Sequence, residues 1–460
     1  MTIINDGWVK MCFCFVNIEK VITILMLMIA KTNHIHDTKK LVGSLPAIRY
    51  TQPKYLYIAM ANARCPKADL YIKEGDHVNS CQVIGMRHGP FFDQPIHATC
   101  SGTYLGLEKH YHRNGKLTDF IKLENDGKDT RDPSCYIRTP EEIAKLTKDD
   151  FVKILKDCAL VGLGGSSFPT YIKFQTNKPI NMILINGIEC EPYITADHRI
   201  MLEYPYRIMD AIKFTMQAFN CKHAKICIKS KYEDIKTVYK QLVKEYAGSG
   251  IELCCVGNYY PQGWEVEMIR KATGIQLKTG ELPADHGIMN FNVSTMVGLY
   301  KAIKYNMPVI KRDITVTGDG INHPKNFRVR VGTAIRDLIP LCGGYKNPDK
   351  EKIFILGGPM MGVSVPSDDC IITKTVTSII VLDKVTEKEE PCVRCGSCVL
   401  SCPVHLEPVQ IMNAVKTLDK ERIKKLNPLK CIECGLCAYS CTSKIQVTDY
   451  VRKAKLIAKL

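Results

Sequence analysis

Apolar positions along this chain recur with different periods in different stretches. From about Leu45 to Leu107 they alternate in short runs broken by turn residues. The segment KADLYIKEGDHVNSCQVIG reads as a strand, a turn at Gly75-Asp76 and a second strand. DQPIHATCSGTYLGLE repeats that style, with Ser101-Gly102 at the turn. From about Thr139 to Lys304 helical and strand periods alternate, which predicts an α/β layer. EEIAKLTKDDFVKILKDCAL and YRIMDAIKFTMQAF read as amphipathic helices, and INMILING and HAKICIKS as buried strands. From about Pro308 to Ser364 strands dominate again in DITVTGDG, NFRVRVG and KIFILGG, with TAIRDLIPLCGG predicted as a helix that stops at Gly343. The charged run from Lys384 to Pro391 reads as a linker. VQIMNAVKTLDKERIKKL beyond it is predicted as one helix.

The chain has 460 residues, enough for three or four domains, and its hydrophobic content of 45% is that of an ordinary globular protein. Residues 1–32 are expected to be either an interfacial anchor or an extension upstream of the first domain. Their apolar run, Val21 to Ala30, is too short to span a bilayer and has no clear cleavage site after it. A net charge of +16 suits anionic surfaces or acidic partners, and lysine-rich solvated faces explain it equally well. The lysines are spread rather than clustered with aromatics, so a nucleic-acid groove is not expected. Most of the 22 cysteines are scattered, which points to a reducing compartment.

Eight cysteines are not scattered. Cys392, Cys395, Cys398 and Cys402 have a C-x2-C-x2-C-x3-C spacing, and Cys431, Cys434, Cys437 and Cys441 repeat it. Three thiolates at that spacing wrap a cubane iron–sulfur cluster, and in two-cluster ferredoxins the fourth cysteine of each run ligates the other cluster. Zinc sites usually pair two CxxC units across a longer spacer, and short CxxCxxC runs cannot all form disulfides without strain. The expectation is two [4Fe–4S] clusters and an electron carrier.

Two further segments carry chemistry. In VGLGGSSFPTYIK, the glycines Gly162, Gly164 and Gly165 are expected between an apolar strand and a helix, with Pro169 in its first turn. Such a loop lets backbone N–H groups approach a phosphate, and Lys173 is placed to add positive charge. A tight turn without a ligand explains the same residues. In NGIECEPYITADHR, Glu189 and Glu191 flank Cys190 just after a buried strand, where ligands gather in open α/β sheets. A polar loop with exposed acids is the plain alternative.

The order of these motifs, followed by YPQGWE (Tyr260 to Glu265), LPAD (Leu282 to Asp285) and the two cysteine runs, resembles the RnfC family from about His36 to Lys455. That family comprises the C subunits of the Rnf electron transport complexes, the ion-translocating ferredoxin:NAD+ oxidoreductases. The resemblance implies an α+β multidomain chain. Residues 33–138 would form a barrel-sandwich hybrid domain, as in biotinyl and lipoyl domains. No Met-Lys or Asp-Lys hairpin is present to carry a swinging arm. Residues 139–305 would form an FMN- and NAD-binding α/β domain resembling the complex I flavoprotein. Residues 306–383 would form a β-grasp, SLBB-like domain, and 384–460 a helical two-cluster ferredoxin domain.

Carried over residue by residue, Gly162, Gly164, Gly165 and Lys173 resemble the FMN cradle. Asn186, Glu189 and Glu191 resemble the second FMN and nicotinamide loop, with Glu191 expected at its outer end. Asn292 and Thr295 in NFNVST resemble the segment closing the flavin site. The chain departs from the family pattern at Ser167, where glycine is usual, at Thr442, where proline is usual, and at Asn33, where a glycine pair is usual. No side-chain acid or base is assigned as catalytic, because the redox chemistry is the cofactor's. The implied function is electron transfer between NAD(H), FMN and two [4Fe–4S] clusters, coupled by membrane subunits to Na+ or H+ export. The implied partners are those membrane subunits, a ferredoxin-like cluster protein of the same complex and, indirectly, ferredoxin, with the chain peripheral on the cytoplasmic side of the cell membrane. A flavin-dependent cobalamin reductase, and a cluster-only electron carrier whose flavin site is inactivated by Ser167, are the alternatives.

Overall fold

The computed structural model describes residues 35–385 and 388–459, so the N-terminal extension with Val21–Ala30, and Asn33, lie outside the described residues. Two compact units are present. The larger is His36–Lys388 with Ile432–Gly435, and the smaller includes Glu389–Cys431 and the chain from Leu436 onward.

The larger unit begins with two antiparallel sheets. One orders Tyr55–Ala59, Leu117–Asn125, Gly102–Tyr111 and His77–Val78, and the other Lys67–Leu70, Val83–His88 and Asp93–His97. Their inner faces share Leu56, Ile58, Ile84, Ile96, Ile121 and Leu123, as the alternating sequence requires.

A four-stranded parallel sheet follows, in the order Ile251–Val256, Ala224–Lys229, Met182–Gly187 and Ile288–Asn292. Ile183, Ile185, Ile226 and Ile228 face one layer of helices, including Pro205–Phe219 and Val293–Tyr305. Leu184 and Cys227 face the opposite side, toward helix Glu265–Thr273. Burial on both faces is why these strands read as unbroken apolar runs.

The third sheet is mixed and six-stranded. It orders Ile48–Tyr50, Lys325–Arg330, Lys311–Thr317, Ser378–Asp383, Lys352–Leu356 and Val363–Val365. The first of these strands lies in the sequence stretch assigned to the sandwich, yet it pairs in parallel with Lys325–Arg330.

Three expected helices are broken. The stretch from Glu141 forms Pro140–Ala144 and Lys148–Asp157, because Thr147 starts a second helix. Its hydroxyl accepts from the Asp150 N–H at 3.2 Å, and Asp150 accepts the Thr147 N–H at 2.8 Å, a capping box. TAIRDLIPLCGG forms two 3-10 turns, Ile335–Asp337 and Pro340–Cys342. Pro340 lacks the N–H that a continuing helix would need and its ring crowds the preceding turn. Gly343 does end the segment, at φ 75°. In the smaller unit, the helix expected between the cysteine runs is Pro408–Lys416 and Lys420–Lys425. The chain turns at Leu418 (φ 54°), and the Asp419 side chain caps the second piece by accepting the Arg422 N–H at 3.0 Å. These helices and Val447–Ala458 pack Ile411, Ala414, Ile423, Val451 and Ala454 into a small core. Among the described residues no helix is long and apolar enough to cross a membrane.

Candidate functional site

The loops after strands Met182–Gly187 and Ile288–Asn292 open, with the glycine loop, onto one cavity of about 900 Å³. Gly162, Gly164, Gly165, Lys173, Asn186, Glu189, Glu191, Asn292 and Thr295 all line it, so the structure brings the expected set together. That volume lies at the upper end of ordinary ligand sites.

The glycine loop is preceded by helix Lys148–Asp157 rather than by a strand, and Pro169 sits at the N-cap of the short helix Thr170–Phe174 rather than inside its first turn. The loop is held from beneath. The Leu163 N–H donates to Thr295 Oγ1 at 2.9 Å, and the buried Arg312 donates to the Leu163 carbonyl at 3.0 Å. Gly162 N–H donates to the Phe168 carbonyl and Ser167 N–H to the Gly162 carbonyl. The N–H groups of Gly164, Gly165 and Ser166 have no protein acceptor among the described residues. Gly165 has φ 110°, a conformation L side chains rarely adopt, and a Cβ there would project into open space. A Cβ on Gly164 would lie 2.8 Å from Asn292 Cγ. Ser167 takes a left-handed conformation (φ 54°), which explains why glycine suits the position. Its side chain is not among those lining the cavity, so it does not block the cradle.

Asn292 caps helix Val293–Tyr305, accepting the Ser294 N–H at 2.9 Å, and donates to Asp197 Oδ2 at 2.6 Å. Ser294 donates to the other Asp197 oxygen at 2.6 Å. Asn186 donates to the Gly263 carbonyl at 2.9 Å and accepts the Ile188 N–H at 3.0 Å. Lys173 donates to the Asn290 carbonyl at 2.8 Å, and Asn290 donates to Glu265 at 2.8 Å. Burial lowers the Lys173 pKa, opposed by the Glu265 charge.

The two acids of the turn point to different partners. Glu189 receives the Lys39 ammonium at 3.2 Å and the Asp197 N–H at 2.8 Å. Lys39 also donates to the carbonyls of Glu189 and Ile194, at 2.8 and 2.6 Å, and so ties the turn down. Burial pushes the Glu189 carboxyl up to about 7 against the pull of Lys39. Glu191 lines the cavity. It accepts the Met360 and Met361 N–H groups at 3.1 and 2.9 Å and holds the loop beyond Gly358 against the cavity. A Cβ on Gly358 would meet the Glu191 carboxylate at 1.9 Å. Burial pushes this carboxyl up to about 7 as well.

A folded pKa above the unfolded glutamate value means that the native state holds the proton more tightly. Its stabilisation is complete below about pH 4.3 and is lost as pH rises through about 7. Glu191→Gln is therefore expected to make the fall in melting temperature between about pH 5 and 7 shallower than in the parent chain. Thermal unfolding of the full chain across that range checks it, and parallel curves would reject it.

Lys39, Asp197 and Arg312 belong to this site and were not singled out from sequence. Asp197 lies in the quoted acidic turn, at the start of helix Ala196–Glu203. Lys39 and Arg312 carry no local signal, because their partners lie more than a hundred residues away.

The cysteine runs have matching backbones. Residues two and four beyond the first cysteine of each run are left-handed: Arg394 and Gly396 in one, Glu433 and Gly435 in the other. So are His405 and Lys444, each three residues past the last cysteine of its run. Left-handed residues interspersed in a loop turn its N–H groups inward, the concavity that iron–sulfur sites use. Cys392 and Cys402 sulfurs already accept the Arg394 and Leu406 N–H groups, at 3.4 and 3.3 Å. Cys402 and Cys431 pack against one apolar cluster, and Cys398 and Cys441 against another that contains Cys437. Among the described residues no three His, Cys, Asp or Glu side chains converge on one metal-ion position.

Thr442, the departure from proline, places its hydroxyl 3.8 Å from Cys395 Sγ. Hydrogen bonds to ligand sulfurs stabilise the reduced cluster. For a cluster held by the first run, Thr442→Val is expected to lower its potential by roughly tens of millivolts and to leave the other unchanged. An EPR-monitored redox titration reads both.

Four family models match the chain in order: the RnfC barrel sandwich hybrid domain over residues 29–128, the Nuo51 FMN-binding domain over 155–301, the SLBB domain over 314–364 and a 4Fe-4S dicluster domain over 384–442. The chain is 34% identical over 347 residues to the C subunit of the Na(+)-translocating ferredoxin:NAD(+) oxidoreductase complex of Acetobacterium woodii, covering 74% of this chain and 76% of the relative. It is 34% identical over 429 residues to the proton-translocating counterpart of Clostridium ljungdahlii, covering 92% of each. Identity to the C subunit of the ion-translocating oxidoreductase complex of Rhodobacter capsulatus is 31% over 365 residues, 77% of this chain and 68% of the relative. Among solved structures, a chain of an NAD+-reducing [NiFe]-hydrogenase in the H2-reduced state aligns with a TM-score of 0.50 at 15% identity. The alignment covers 67% of this chain and 63% of that one, under two thirds of its length, and it is a likeness of fold.

Proposed function

This chain belongs to the family of C subunits of ion-translocating ferredoxin:NAD+ oxidoreductase complexes, and from that premise we propose that it carries electrons between NAD(H), FMN and two [4Fe–4S] clusters within such a complex. The observation that carries this reading is the convergence of the glycine loop, the acidic turn and the 292–295 segment on one cavity, in a chain that also holds two complete cysteine runs.

The residues fit the group. Three free N–H groups on the glycine loop and the Lys173 ammonium provide donors for a phosphate and its linker. Gly165 leaves open the space that a side chain would take. Asn186, Glu189 and Asn292 line the same cavity, fixed in place by Gly263, Lys39 and Asp197. FMN, when bound, supplies the junction between two-electron nicotinamide chemistry and one-electron cluster chemistry. The chain's own task is to bind, orient and keep water from that junction, and no side-chain acid or base is assigned to it. Cys392, Cys395, Cys398 and Cys441 are assigned to one cluster, and Cys431, Cys434, Cys437 and Cys402 to the other.

We assign the chain to the cytoplasmic side of the membrane, peripheral to membrane-spanning partners and a ferredoxin-like cluster protein of the complex, with ferredoxin reached indirectly. Its net charge of +16 suits an anionic surface or acidic partners. Movement of Na+ or H+ falls to the partners.

Full-length protein loaded with FMN and iron–sulfur clusters is expected to reduce a viologen dye with NADH, and with NADPH only poorly. Loaded protein that exchanges no electrons with NADH, or that reduces cobalamin well, would overturn the reading in favour of an alternative.

A further inference from the structure

The parallel sheet sets two thiols side by side, one strand away from the acidic turn. Cys227 and Cys254 are register partners on strands Ala224–Lys229 and Ile251–Val256, and Cys227 is in turn the partner of Asn186. Partners on neighbouring strands lie about 4.8 Å apart. That is inside the Cα separation a disulfide spans. Both side chains face the same apolar cluster beneath helix Glu265–Thr273, near enough for each thiol to shift the titration of the other.

The two sulfurs differ in the way a reactive pair requires. Cys227 is fully buried, and its thiol is held well above the ordinary value by the neighbouring Cys254 thiol and by burial. Cys254 is only partly buried and lies on the edge strand. The neighbouring Cys227 thiol, helped by the Lys225 ammonium, brings its thiol below the ordinary value against burial and the Glu252 charge. The accessible sulfur is thus the nucleophile, with a protonated thiol directly behind it. Cys255, the exposed neighbour, points to the opposite face of the sheet.

We propose that Cys227 and Cys254 form a peroxide-sensitive dithiol that closes to a disulfide beside the cofactor site. The Cys254 thiolate attacks one peroxide oxygen, the O–O bond breaks, and the leaving hydroxide takes a proton to become water. Cys254 is then a sulfenic acid. Cys227 sulfur attacks it, the S–S bond forms, the S–O bond breaks, and a second water leaves with the Cys227 proton. Two thiols lose two electrons and one peroxide becomes two waters.

The consequence runs along the register row. A disulfide, whose Cα atoms settle nearer about 5.5–6 Å, spreads the edge strand from Ala224–Lys229, where Cys227 is the register partner of Asn186 at the start of the acidic turn. Oxidation is therefore expected to loosen the turn and release cofactor. This last clause rests on the FMN reading of the cavity, whereas the crosslink does not.

The test treats full-length holoprotein with hydrogen peroxide, blocks remaining thiols with N-ethylmaleimide and maps the peptides by mass spectrometry. The expected product joins Cys227 to Cys254, forms equally in Cys255→Ser, is absent in Cys254→Ser and reverses with dithiothreitol. Cys254→Ser serves because Cys254 is the less buried partner. Both thiols alkylated under excess peroxide, or a Cys254–Cys255 or intermolecular Cys255 disulfide instead, would overturn the proposal. Flavin released into the filtrate is expected to rise several-fold on oxidation of the parent and not of Cys254→Ser. A crosslink with no such release would overturn the link to the cofactor.

Discussion

Replacing Gly165 with valine is expected to strip the flavin from the chain and leave its iron content unchanged. At φ 110° the backbone of residue 165 sits where an L side chain is strained, at a cost of about 1–3 kcal/mol. The new side chain also enters the open space of the cavity that the loop borders. The loop cannot move aside, because Thr295 and Arg312 fix Leu163 and the Asn292 side chain backs Gly164. Together these effects are expected to weaken FMN at least tenfold, about 1.4 kcal/mol or more. None of the eight cluster cysteines belongs to the loop, so iron analysis is expected to match the parent. Acid extraction of flavin after gel filtration measures the first quantity. Parent-like flavin content in the variant would mean that the loop is a turn without a ligand.

Replacing Cys402 with serine is expected to damage the cluster of the other run. By sequence Cys402 closes the first motif, yet it packs against the same apolar cluster as Cys431. The charges acting on the Cys437 thiol include those of Cys431 and Cys402, whereas those acting on Cys398 include Cys395 and Cys441. Cys402→Ser and Cys431→Ser should therefore remove or alter the same EPR signal, with iron falling toward half. Cys392→Ser should affect the other signal. If Cys402→Ser and Cys392→Ser disturb the same signal, the crossed arrangement is wrong.

The elements legible in the sequence were those whose cause is local or periodic. Met182–Gly187 and Ala224–Lys229 are apolar on both faces because they are covered on both faces. The cysteine runs are legible because each wraps through its own short loop. Helix breaks were harder to see. The apolar period runs straight through Leu146 and Leu418, while the interruptions come from Thr147 and Asp419 capping new helices. Long-range partners left no trace at all. Lys39 reaches Glu189, and Glu191 reaches Met360 and Met361, only once the chain has folded. Glu191 therefore reads from sequence as a cofactor-loop residue or an exposed acid, and in the structure it pins a loop from the third sheet. Ser167 shows the reverse. From sequence it threatens the cradle, but in the structure it is left-handed and does not line the cavity.

Rapid anaerobic mixing of the fully loaded chain with NADH, followed by absorbance and by EPR of frozen samples, tests most directly whether a flavin joins nicotinamide chemistry to the iron–sulfur clusters. The expected result is bleaching of the flavin band followed by reduced-cluster signals. Both responses should be lost in Gly165→Val, although its clusters remain reducible by dithionite. Clusters that NADH reduces equally well in flavin-free Gly165→Val, or a flavin that stays oxidised in the parent, would contradict it.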